Sequence, residues 1–275
     1  MILSIVTVNE LIKAGMHFGH RASRWNPRMA PYIYGKRNLI HIINLKETIK
    51  GLITAYKFVV GVSKTGKDVL FVGTKRQARA TIEREAKRCG MHFVAERWLG
   101  GSLTNFRTIR KSLSRLREIE QMELDGSINN YSKKVISQIA REKRKLKRNL
   151  EGIRNMDELP GALIVIDPSR EHIAVKEANK LGIPTVCLAD TNCDPDQVGI
   201  LVPGNDDAMR AIEILCMKMA DAVLEGKTGR PPTRAEAPAP PPAPAPAPTP
   251  PPSAPAPAAA PAPSTTTDAS GTTKS

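Results

Sequence analysis

Short apolar runs rich in β-branched residues alternate with segments of helical period along most of this chain. Leu39–Ile43, Val69–Val72, Phe93–Ala95, Ala162–Ile166, Thr185–Leu188 and Ile200–Val202 have the length and composition of buried strands. Between them, Glu47–Val62 places Ile49, Leu52, Ile53, Tyr56, Val59 and Val60 on one helical face. Lys75–Cys89, with Ala78, Ile82 and Ala86, repeats that period, as do His172–Leu181 and Ala208–Val223. A strand apolar along its whole length needs cover on both faces. Strand followed by helix, repeated, supplies that cover and predicts an α/β fold with a mostly parallel sheet between helical layers.

The alternation breaks once, between Phe93 and Ala162. Leu103, Phe106, Ile109, Leu113, Leu116, Ile119 and Met122 are spaced by three or four residues. Turn residues follow at Asp125-Gly126 and Asn129-Asn130, and the stripe resumes at Tyr131, Val135, Ile139, Leu146, Leu150 and Ile153. This predicts an antiparallel helical hairpin inserted at 103–153, each arm roughly 30 Å long. One narrow apolar stripe with charge elsewhere implies that the hairpin protrudes from the sheet.

Charge and composition bound the function. The formal net charge is +14. Lys13–Lys50 is net +7 and Arg97–Leu150 net +9, whereas Glu151–Arg230 is net −6, so the excess cations form two blocks beside a mildly anionic remainder. Such asymmetry favours a polyanionic partner for part of the surface. The last 45 residues, Pro231–Ser275, hold 16 of the 23 prolines and no Ile, Leu, Val, Phe, Tyr or Trp. They cannot build a core and are expected to be a disordered Pro/Ala-rich tail behind a folded domain at 1–230. No apolar run approaches the roughly 18–20 residues that span a bilayer. The start, with Glu10 and no basic leader, is unlike a secretory signal. The cysteines at 89, 187, 193 and 216 lack zinc or redox spacing and are expected to be free thiols of a reducing compartment.

Enzymatic motifs fail on inspection. Gly61–Asp68 approaches a phosphate-binding loop, but Asp68 replaces the metal-binding hydroxyl residue and the segment precedes a strand instead of following one. His17-x-x-His20 with Asp190, Asp194 and Asp196 offers metal-ligating side chains without a full set of known spacing. Loop-bracing histidines and Asx turns account for them, and no metal or cofactor is expected. A nucleotide-dependent enzyme on the same fold remains the rival reading, with only Gly73, Asp167 and Asp190 at strand ends to support it.

Four segments fit a polyanion better. Arg21, Arg24 and Arg28 surround Trp25 and Asn26; guanidinium groups fork onto phosphates, and an exposed indole stacks on a base or ribose. Thr74 and Gln77 have capping-box spacing, which would set Lys75 and Arg76 beside a helix N-terminus. Arg97-Trp98-Leu-Gly-Gly-Ser-Leu-Thr104-Asn105 makes a glycine turn, with Ser102 or Thr104 to cap the next helix and Arg107, Arg110 and Lys111 in its first turns. Arg141–Arg148 lies on the returning arm. Aromatics make up only 4% of the chain, so phosphate and sugar contacts to a folded, double-helical RNA are the expected main mode.

Six motifs then combine into a resemblance. Ala14–His20, Trp25–Ile33, Leu70–Lys75, Arg97–Asn105, Ala189–Pro195 and Pro203–Ala208, in this order over about residues 5–225, closely resemble the bacterial type of the ribosomal protein S two family of the small subunit. The resemblance implies a flavodoxin-like three-layer sheet with a protruding coiled-coil hairpin and a structural, non-enzymatic, cytoplasmic role. It implies contacts to small-subunit ribosomal RNA between head and body, and to neighbouring proteins including ribosomal protein S one, with no membrane or DNA partner. The expected RNA-binding residues are Arg21, Arg24, Trp25, Asn26, Arg28, Lys75, Arg76, Arg97, Trp98, Thr104, Asn105, Arg107, Arg110 and Lys111.

Overall fold

Five short strands carry the core of the computed structural model, which describes residues 6–229. They are β4 (Val69–Val72), β5 (His92–Val94), β6 (Ala162–Ile166), β7 (Thr185–Ala189) and β8 (Ile200–Pro203), preceded by three strands in the amino-terminal part. All five run parallel in the order β5-β4-β6-β7-β8. Numbered within this sheet, the order is 2-1-3-4-5, the flavodoxin-like arrangement. The tail expected at 231–275 lies outside the described residues.

Alternate strand residues feed two cores. Phe71, Ile164, Ile166, Val186 and Leu188 pack with α2 (Leu45–Lys64), α3 (Arg79–Cys89) and α7 (Met209–Thr228). Leu70, Val72, Leu163, Val165 and Cys187 pack on the other side with α6 (His172–Lys180) and the near ends of the hairpin helices, α4 (Phe106–Leu124) and α5 (Lys133–Leu150). Within the hairpin, Ile109, Leu113 and Leu150 belong to that second core. Leu116, Ile119 and Ile139 are buried outside both cores, so the far half packs on itself. Gly61–Lys64 closes α2 and the chain then turns at Thr65–Lys67 into β4, so the segment precedes the strand as the sequence reading has it.

One expected strand is placed differently. The sequence pattern puts Leu39–Ile43 in the parallel sheet; its ordered part, β3 (Ile40–Ile43), instead pairs antiparallel with β1 (Phe18–Arg21) and β2 (Ile33–Arg37) in a separate small sheet. The reason is local. Asn38 and Leu39 both adopt left-handed φ, +50° and +61°, which makes a two-residue turn between Arg37 and Ile40 and folds the chain straight back. The small sheet rests on the carboxyl end of β7. His20 N–H donates to Asp190 Oδ1 and Thr191 Oγ1, and Asn26 N–H donates to the Thr191 carbonyl at 2.8 Å. Gly19 permits this approach, since a Cβ there would stand 2.8 Å from Thr191 Cγ2.

Candidate functional site

Parallel α/β sheets of this order usually bind ligands where the chain leaves the first strand in opposite directions, here between the carboxyl ends of β4 and β6. Side chains of this protein fill that crevice. The Lys75 ammonium lies 2.8 Å from Asp206 Oδ1, 2.7 Å from Asp207 Oδ1 and 3.4 Å from Asp167 Oδ2. Burial alone would push the Lys75 pKa down, but the hydrogen bonds to Asp206 and Asp207 outweigh it and raise it. Asp206 is pushed up to about 7 by burial and by the charge of Asp167, despite Lys75. Carboxylates outnumber cations there, so the two directions are compatible.

This corrects the expected capping box. The α3 helix starts at Arg79 with Ala78 before it, and no side chain among the described residues caps it. Thr74 instead donates from its N–H and its hydroxyl to Glu171 Oε1, at 2.9 and 2.5 Å. Lys75 therefore points inward, 8% exposed, and its charge is taken up by the protein. Arg76 alone of that pair is exposed.

The loop after β5 is held by one carboxylate. Glu177, on α6, accepts hydrogen bonds from the N–H groups of Gly101, Leu103 and Thr104, the Thr104 hydroxyl and the Trp98 indole N–H, at 2.7–3.2 Å. Burial opposes its ionisation, yet the backbone donors hold its pKa below the ordinary value. Gly101, at φ +88°, makes the turn that presents these groups. Two expectations change as a result. Neither Ser102 nor Thr104 caps α4, because Ser102 bonds the Leu99 carbonyl and Thr104 bonds Glu177. Trp98 is 7% exposed, an anchor of the second core and not a surface for bases.

The loops and helices that enter these two filled positions and the small sheet also carry exposed cations, here called the cationic rim. Arg21, Arg24, Arg76, Arg97, Arg107 and Lys111 are exposed and form no ion pair with another described residue. Arg97 and Arg170 line one cavity of about 360 Å³ at the strand ends, with Thr74, Glu96 and Glu171. Asn105 is exposed and its side chain accepts from the Thr108 hydroxyl. Two expected contacts are partly spent: Arg110 reaches Asp157 at 3.4 Å, and Arg28 reaches Asp194 and Asp196 at 3.0 and 2.9 Å. Asn26 Oδ1 accepts from the Arg28 N–H and shapes that loop. Trp25 is 37% exposed, its other side against His41.

The acidic residues also sort differently from their spacing. His20 Nδ1 stands 2.7 Å from Asp190 Oδ2, and that hydrogen bond raises the His20 pKa. His20, Asp190 and Asp206 bring donor atoms within 4.8 Å of one another, a set able to ligate a divalent ion. Lys75 shares its Asp206 carboxylate. Asp194 and Asp196 are engaged with Arg28.

With this geometry in view, the comparisons decide the family. The family model described as "Ribosomal protein S2" matches residues 11–226. This chain belongs to the ribosomal protein S2 family. The small ribosomal subunit protein uS2 of Geotalea uraniireducens (strain Rf4) is 52% identical over 228 residues, covering 83% of this chain and 89% of that protein. The same-named protein of Syntrophobacter fumaroxidans (strain DSM 10017 / MPOB) is 54% identical over 225 residues, 82% of each. Membership makes the chain a structural ribosomal protein and not an enzyme. Arg170, Glu177 and the β2 cations Lys36 and Arg37 belong to none of the six motifs. The last two lie inside the amino-terminal cationic block without a motif of their own.

Proposed function

We propose that the chain, a structural constituent of the small ribosomal subunit in the cytoplasm, holds ribosomal RNA on its cationic rim. Arg21, Arg24, Arg76, Arg97, Arg107 and Lys111 grip phosphates, with Asn105, Arg28 and Arg110 at the margin. The hairpin braces a second surface of the subunit between head and body. The observation that carries this reading is the contrast between rim and crevice. The fold's usual ligand position is occupied by the protein's own ion pairs, while exposed cations beside it have no described partner. Phosphate contacts of this kind position a protein on folded RNA without reading sequence. The family resemblance also implies support for docking of ribosomal protein S one. A groove of about 260 Å³ lined by Ile12, Tyr34, Ile42 and Leu45 is an apolar surface suited to a protein neighbour.

The test is sedimentation of the tagged full chain from lysate at low and high salt. The wild type is expected to travel with small subunits at low salt, and the combined Arg97→Ala, Arg107→Ala and Lys111→Ala variant to leave them at a lower salt concentration. Equal retention of both proteins across the salt series would remove the rim from the contact surface.

A further inference from the structure

His41 is 8% exposed, and neither of its ring nitrogens has a hydrogen-bond partner among the described residues. Its ring lies against Trp25, with centroids 5.0 Å apart and planes at 36°. Trp25 keeps 37% of its surface open. Across the β2–β3 ladder, Lys36 is the register partner of His41. Opposed residues of an antiparallel pair leave the sheet on the same face, so Lys36 and His41 flank one another. Lys36 is exposed and forms no ion pair with another described residue.

A neutral imidazole carries one donor and one acceptor, and burying both without partners is unfavourable. An apolar side chain would support Trp25 equally well at no such cost. A polar ring at this position therefore calls for a partner beyond the described residues. The three groups together define its chemistry: a flat apolar face, a cation, and a donor–acceptor pair.

We propose that Trp25, Lys36 and His41 seat a single unstacked ribonucleotide. The base lies on the open face of the Trp25 indole, and the Lys36 ammonium takes a flanking phosphate. As the indole tilts, the ribose 2′-hydroxyl reaches His41. That hydroxyl both donates and accepts, so it can pair with the ring nitrogen it meets in either imidazole tautomer, and it distinguishes RNA from DNA. An acidic protein side chain would satisfy Lys36 but leave the indole face unused. The inference rests on the RNA-binding function proposed above and adds a base-stacking site to a surface that otherwise contacts phosphates.

The experiment titrates the full-length protein with single-stranded hexaadenylate, in ribo and deoxy forms, at low salt. Intrinsic fluorescence and the anisotropy of labelled oligonucleotide are followed. Trp98 is buried and gives a constant background. The wild type is expected to show saturable quenching and to prefer the ribo form. Trp25→Leu keeps apolar cover on His41 and is expected to weaken binding about tenfold by removing the stacking surface. His41→Phe is expected to bind ribo and deoxy forms alike. Lys36→Met, on an exposed position, is expected to lower the salt slope by roughly 0.7. If His41→Phe fails to fold by circular dichroism, the Trp25 and Lys36 variants decide. Equal ribo and deoxy affinity in the wild type, or unchanged binding in Trp25→Leu and Lys36→Met, would overturn the proposal. Cosedimentation of the same variants with small subunits separates the two readings. Retained cosedimentation without quenching rejects this site alone, whereas a wild type that never joins small subunits rejects the function beneath it.

Discussion

Lys75 and Arg97 follow the carboxyl ends of neighbouring strands, β4 and β5, and their surroundings differ in kind. Lys75 is turned into the sheet's crevice and held by three carboxylates, two of them from the loop after β8. Arg97 stands on the rim, exposed and without an ion pair to a described residue. Both are cations in glycine-containing loops that precede helices. A buried charge is tolerable only when paired, so the first belongs to the energetics of the fold. An exposed, unpaired cation adds little to stability and remains available to a phosphate. Partners thus separate structural from recognitional cations, where residue type does not.

The sharpest test of that contrast is Lys75→Met. It strands the Asp206 and Asp167 carboxylates in the crevice, and urea denaturation is expected to show a loss of about 3–5 kcal/mol. The salt dependence of RNA binding by the folded fraction is expected to stay unchanged. The same network sets a pH trend in the wild type. Asp206 titrates at about 7 in the folded state, against an ordinary value of 3.8 for an aspartate freed by unfolding. Between those values the folded state holds the extra proton, so this group's contribution to stability falls as pH rises through the window. A Lys75→Met protein as stable as the wild type with a shallower salt slope would move Lys75 to the rim.

Glu177→Ala comes next in size. It removes the shared acceptor of three backbone N–H groups and the Trp98 indole. The expected loss is about 2–3 kcal/mol, since several buried donors lose their partner at once. Hydrogen exchange at Gly101 and Leu103 is expected to accelerate more than exchange in β6. The pH trend is opposite to that of Asp206. The folded pKa of Glu177 lies below 4.5, so its contribution is complete above 4.5 and is lost as pH falls through the folded value. Equal acceleration throughout the sheet would show that the hairpin base is not separately locked.

The rim is expected to respond the other way round. Replacing Arg97, Arg107 and Lys111 together by Ala should change unfolding stability by no more than about 0.5 kcal/mol. The slope of log affinity against log salt should fall by roughly 0.9 for each phosphate the variant no longer neutralises. A large stability loss with an unchanged slope would place these residues with Lys75.

Why some of this is legible in the sequence is itself physical. Val69–Val72 and Ala162–Ile166 are uniformly apolar because both faces are covered, and that pattern survives in one dimension. The hairpin is legible because its stripe turns over at Asp125–Gly126. The small sheet is not. Its turn has Leu39 at a left-handed position where Gly usually marks such hairpins, and β1 and β2 hold only four and five residues with mixed exposure. At the site, Arg97 and Arg107 are exposed, whereas Lys75, Trp98 and Thr104 are buried or engaged in ways that no local sequence pattern signals. Their partners Asp206 and Glu177 lie 131 and 73–79 residues away in sequence, beyond any local pattern.

Arg28 lies between the two extremes and should give the smallest effect. It is exposed like Arg97 yet paired like Lys75, through Asp194 and Asp196 on the loop after β7. Water screens that pair, so Arg28→Ala is expected to leave unfolding stability nearly unchanged. The two carboxylates already neutralise much of its charge, so the salt slope should fall by less than for Arg97→Ala. The reciprocal change is more informative. Asp194→Asn with Asp196→Asn frees the guanidinium and removes two negative charges from the rim. It is therefore expected to raise RNA affinity and steepen the slope while leaving the sheet intact. If the double variant instead weakens binding, the pair positions Arg28 for its phosphate, and pairing on the surface would then prepare a cation for RNA, whereas in the crevice it withdraws one.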